Sequence, residues 1–79
     1  MIHVQLTGEF IKLAPVGSEK GSFDTDYEAG VTVAQLVSRL GVKEKGIRYS
    51  VMVNNLRKSE DHALSDSDTV LIIPLLAGG

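Results

Sequence analysis

Thr69-Val70-Leu71-Ile72-Ile73-Pro74-Leu75-Leu76-Ala77-Gly78-Gly79 opens as a β-strand and finishes on two glycines. The apolar run beginning at Val70 is short and rich in β-branched residues, which predicts a buried strand covered on both faces. Pro74 has no backbone N–H, so regular pairing is expected to stop there. Leu75, Leu76 and Ala77 lie past that point and form an apolar patch expected to bind a partner. Gly78 and Gly79 lack a Cβ and can follow a narrow path closed to other residues. Fully extended, the last five residues would carry the Gly79 carboxylate about 16–18 Å from the strand end. The stretch therefore predicts a terminus delivered into another protein's active site. A frayed or adventitious Gly-Gly is the plainer alternative. The buried strand directly in front of the glycines favours delivery.

Upstream, Met1 to Leu6 alternates, with Ile2, Val4 and Leu6 on one face, and predicts the first strand. Phe10 to Ala14 either extends a hairpin or forms one helical turn. Pro15 to Gly21 has the composition of a loop. Ser22 to Tyr27 alternates again, with Phe23, Thr25 and Tyr27 opposite Asp24 and Asp26, and predicts a second, half-wet strand antiparallel to the first.

The sharpest local signal is a helix. Thr32 and Gln35 form a capping box, Val31 and Leu36 the accompanying hydrophobic staple, and Gly41 the left-handed stop. Between them Val33, Leu36, Val37 and Leu40 mark one buried stripe. A third strand follows at Tyr49 to Val53, a tight turn at Asn54-Asn55, and a short fourth strand at Leu56 to Lys58. Leu64 is a candidate core anchor. Ser65-Asp66-Ser67-Asp68 is a turn whose side chains bond their own backbone. One helix against one mixed sheet of four to five strands is the economical two-layer arrangement for 79 residues. The most apolar strand, the last, belongs in the middle beside the first. That is an α+β, β-grasp (ubiquitin-like) fold, expected over residues 1–75 with a di-glycine tail at 76–79.

Composition removes most other readings. With no cysteine there is no disulfide, zinc thiolate or cysteine nucleophile. A net charge of -2 gives no electrostatic footprint for nucleic acid. No apolar run is long enough to cross a membrane and no leader is evident, so a cytoplasmic location is expected. His3 and His62 lack metal-ligand spacing to a second ligand. No serine sits in a nucleophile elbow. Asp24, Asp26 and Glu28 read as solvated carboxylates, so neither catalytic residues nor a metal site is expected. What remains is the carboxylate of Gly79. A carboxylate is a poor electrophile and needs activation as an acyl adenylate, after which it can accept sulfur or an amine.

Four segments carry a resemblance beyond this: Gly30 to Leu36, Val51 to Asn54, Leu64 to Val70, and Ile73 to Gly79. In this order, and over essentially the whole chain, they resemble the ThiS/MoaD-type sulfur carriers. That family usually has glycine between the two aspartates, where this chain has Ser67. The resemblance implies that an E1-like adenylating enzyme activates Gly79 with ATP, and that a sulfur donor converts it to a thiocarboxylate. The thiocarboxylate then donates sulfur in molybdopterin or thiamine synthesis, so the implied partner is the molybdopterin synthase large subunit or thiazole synthase. The carrier itself would bind no cofactor and catalyse nothing. Pro74 and the chain length resemble the molybdopterin branch, and Ala77-Gly78-Gly79 resembles many thiamine carriers. A ubiquitin-like modifier joined through Gly79 to target lysines shares the same activated intermediate. A passive ubiquitin-like binding domain is the third reading.

Overall fold

The computed structural model describes residues 1–75. Five strands, β1 (Ile2–Leu6), β2 (Ser22–Thr25), β3 (Tyr49–Val53), β4 (Leu56–Arg57) and β5 (Thr69–Pro74), form one sheet in the order β2-β1-β5-β3-β4. β1 and β5 run parallel at its centre, while β2, β3 and β4 pair antiparallel with their neighbours. The helix α1 (Val33–Leu40) covers one face. This is the β-grasp arrangement, with the last strand between the first and the third.

The local devices act as the sequence predicts. Thr32 Oγ1 accepts from Gln35 N–H at 3.2 Å, and the Gln35 side chain accepts from Thr32 N–H at 2.9 Å. Gly41 ends the helix at φ +81°. The Asn54-Asn55 turn between β3 and β4 uses positive φ at both residues, which matches the twist of the flanking strands, and Lys20-Gly21 uses it in the tight turn that leads into β2. Leu64 anchors the return segment, its N–H donating to the Val31 carbonyl at 2.8 Å.

Of the two readings of Phe10 to Ala14 the helical one holds: Gly8–Leu13 forms a 3₁₀ helix that drives Phe10 to full burial. There the Phe10 ring meets Tyr49 edge to face, with centroids 6.3 Å apart. Two expectations change. β2 stops at Thr25 rather than Tyr27, although Tyr27 still packs against the core. β5 is buried on one face only. Val70 and Ile72 are fully buried, whereas Leu71 and Ile73 are half-buried on the face that carries no helix. A single eight-residue helix can cover only one side of a five-stranded sheet.

Candidate carrier terminus and docking face

β5 leads to the predicted site and is fastened on both flanks up to its end. On the β1 side, Thr7 Oγ1 donates to the Ile72 carbonyl at 2.9 Å. On the β3 side, Asn54 N–H donates to Thr69 at 2.9 Å and Leu75 N–H to Arg48 at 2.7 Å. The ladder to β3 therefore uses the odd positions of β5. Position 74 faces β1, so the missing N–H of Pro74 removes no bond to β3. Pairing consequently continues one bond past Pro74, where the sequence predicted it to stop. Leu75 belongs to the sheet's end while 41% exposed. The patch residues Leu76 and Ala77 and the tail residues Gly78 and Gly79 lie outside the described residues.

The odd positions of β5 share the helix-free face. Leu71 sits beside Met52 of β3 and Gln5 of β1, and Ile73 sits beside Ser50. Leu71, Ile73 and Leu75 thus form an apolar row running down the strand towards residue 76, widened by Met52. Its rim is polar: Arg57 next to Met52, and His3 hydrogen-bonded to Asp24 across β1 and β2. Met52, Leu71 and Ile73 were absent from the sequence-derived site because β5 read as doubly covered. The available signal was arithmetic: one short helix cannot roof both faces.

Elsewhere the polar groups are used structurally. The Asp68 carboxylate accepts from Ser65 N–H at 2.8 Å and from the Asn54 amide at 2.9 Å, which closes the turn before β5. The Tyr49 hydroxyl donates to Glu60 at 2.7 Å, and Lys43 Nζ lies 3.1 Å from the other Glu60 oxygen. The Tyr49 bond, with Lys43 behind it, holds the Glu60 carboxyl below the usual carboxylate range. Burial, with that same bond, pushes the Tyr49 hydroxyl up to about 12. Tyr49 and Glu60 border an open crevice of about 400 Å³ whose other walls include Val51, Arg57 and Lys58. Among the described residues, no three His, Asp or Glu side chains converge as metal ligands. No helix there is long and apolar enough to cross a membrane.

The model of the ThiS family matches residues 4–79. The chain belongs to the ThiS family. The match runs from β1 through Pro74 to both glycines. Two crystal structures of small archaeal modifier protein 1 from Haloferax volcanii share its fold. One superposes at a TM-score of 0.72 with 19% identity, over 99% of this chain and 98% of that one. The other gives 0.75 with 16% identity, over 95% and 97%. No curated protein matches the chain. Family and fold together make it a ubiquitin-like protein of the ThiS kind. Proteins of that kind are generally carriers rather than catalysts and work with E1-like activating enzymes.

Proposed function

We propose that this protein is a sulfur carrier whose reacting group is the carboxylate of Gly79. An E1-like enzyme transfers AMP from ATP to that carboxylate and releases pyrophosphate. A sulfur nucleophile then displaces AMP and leaves a thiocarboxylate, which gives up its sulfur in molybdopterin synthesis or, as the second choice, in thiamine synthesis. The carrying observation is the pairing of a family match that extends to Gly79 with a sheet that fastens the chain up to Leu75. Four residues remain beyond Leu75, a reach of about 13–14 Å when extended. That is short enough to keep the reacting carbon in register with a partner docked on the sheet.

The activating enzyme grips the apolar row Leu71, Ile73, Leu75 with Met52, and Leu76 and Ala77 continue that grip along the tail. Burying one of these leucines contributes roughly 1.5–3 kcal/mol. Where a molybdopterin synthase large subunit is the acceptor, it uses the same surface after the enzyme leaves.

A modifier reading is favoured by one observation: the structural neighbours are named as modifier proteins. It shares the adenylate and differs in the nucleophile, a lysine amine in place of sulfur. Intact mass after incubation with ATP, the host's E1-like enzyme and a sulfide donor decides the matter. The expected result is a gain equal to exchanging one oxygen for sulfur, localised to Gly79. Lysine-linked conjugates bearing a glycine remnant, without thiocarboxylate, would replace the carrier by the modifier.

A further inference from the structure

We propose that the crevice beside β3 receives the carboxyl terminus of a partner polypeptide, added to the sheet as a short parallel strand. Even positions of β3 bond β5, as Arg48 does Leu75 and Asn54 does Thr69. Tyr49, Val51 and Val53 therefore turn their backbone groups to the outer side. β4 covers that side only as far as Arg57. Lys58 N–H still donates to the Val51 carbonyl at 3.0 Å, and the chain then swings away. Two bonds draw it off: Ala34 N–H takes the Glu60 carbonyl at 2.9 Å, and Val33 N–H takes that of His62 at 3.0 Å. Among the described residues, no backbone bond reaches the Val51 N–H or the Tyr49 carbonyl. Both residues line the crevice.

These open groups select direction and chemistry. In a parallel pair, one residue of the incoming strand donates to the residue before its opposite number and accepts from the residue after it. The Tyr49 carbonyl and the Val51 N–H are such a pair, flanking Ser50. An antiparallel strand would also need the Val51 carbonyl, which Lys58 already holds. A parallel strand heads for Lys58 and is stopped there after that one residue, so the slot is blind and fits a chain end. Arg57 and Lys58 line it, and its one lining carboxylate, Glu60, is engaged by Tyr49 and Lys43. A terminal carboxylate accepting from Val51 N–H beside two cations makes charge-assisted bonds, the stronger class. A chain entering the other way would bring its ammonium to the same cations and be repelled.

The site is independent of the carrier function. Leu71, Ile73 and Leu75 do not line it, so a partner held by its end leaves the apolar row uncovered. Strand addition at an open edge draws its affinity from main-chain bonds, and side chains or a terminal group supply the selectivity. Here the selectivity is for the free carboxylate.

The test is a titration of the ¹⁵N-labelled protein with the peptide Ac-Thr-Val-Thr-Val bearing a free carboxylate, its C-terminal amide and acetate. The acid is expected to shift the Val51 and Lys58 amides and to slow exchange of the Val51 N–H. Its Kd should be on the order of 1 mM, about tenfold below that of the amide. Lys58→Gln and, separately, Arg57→Gln should weaken the acid and leave the amide unmoved, with the thermal transition of each variant as the check on folding. A nitroxide on the peptide's N-terminus should broaden Arg48 and spare Leu56, as a parallel strand requires. Acid and amide binding alike, acetate matching the peptide, broadening centred on Leu56, or a Val51 amide unmoved at about 10 mM peptide would overturn the assignment.

Discussion

Ser67 sits at φ +71° between two aspartates, a backbone conformation natural to glycine. The left-handed conformation costs an L-residue about 1–2 kcal/mol. Glycine there would add unfolded-chain entropy worth about 0.4–1 kcal/mol. Ser67→Gly is therefore expected to stabilise the fold by roughly 0.5–1 kcal/mol and to raise Tm by about 2–8 °C for a domain of this size. A Tm that stays level or drops would show that the turn holds serine without strain. The family resemblance singled out this position only as a departure from glycine, and the positive φ is what the structure adds. The partners of the Asp68 carboxylate were not legible, because Asn54 reaches it from a distant hairpin.

Tyr49 and Glu60 supply a pH signature. The Tyr49 hydroxyl is raised in the folded protein, so its contribution to stability is complete below about 10 and is lost as pH rises towards its folded value of about 12. Glu60 is lowered, so its contribution is present at neutral pH and is lost as acid protonates it in the folded state. The tyrosinate absorbance that disappears in Tyr49→Phe should have its midpoint near 12. A midpoint near 10 would mean that solution opens the bond to Glu60.

At the scale of elements, α1 was readable almost to the residue because cap, staple, stripe and stop all agree. Thr32→Ala removes the side-chain half of the capping box and should cost about 1 kcal/mol, seen as a lower denaturant midpoint at an unchanged m-value. The 3₁₀ helix was one of two readings of its segment, and the sequence left the choice open for a tertiary reason. Its geometry answers the need to bury Phe10 beneath Tyr49 and to pass close by Pro74, and neither partner is near in sequence. β5 was located correctly, but its faces were not distinguished, since an unbroken apolar run looks the same whether one side or both is roofed. Leu71→Asp tests the open side. The half-buried position should accept the charge with little loss of folding, while affinity for the activating enzyme falls about tenfold or more, given the roughly 1.5–3 kcal/mol carried by one buried leucine. Undiminished binding would move the docking surface elsewhere.

For the whole molecule, the fold class followed from the number and order of elements: one helix, five strands, and the most apolar strand last. The sequence argued for a reactive terminus, which remains a proposal, and its partners entered through resemblance. Extending the chain past Gly79 should abolish adenylation while the thermal transition stays where it was. An extended chain that is still adenylated, with its extension intact, would sink the terminal chemistry.

The central place of β5 bears on how such a protein is made. The first strand waits for the last before the middle of the sheet can close, and contacts so distant in sequence form slowly. The same strand supplies the apolar row and ends next to the tail. A chain broken off early in translation would lose its core, the proposed docking row and the proposed reactive end together. Incomplete products should therefore be cleared as unfolded polypeptide and never compete with finished carriers for the activating enzyme.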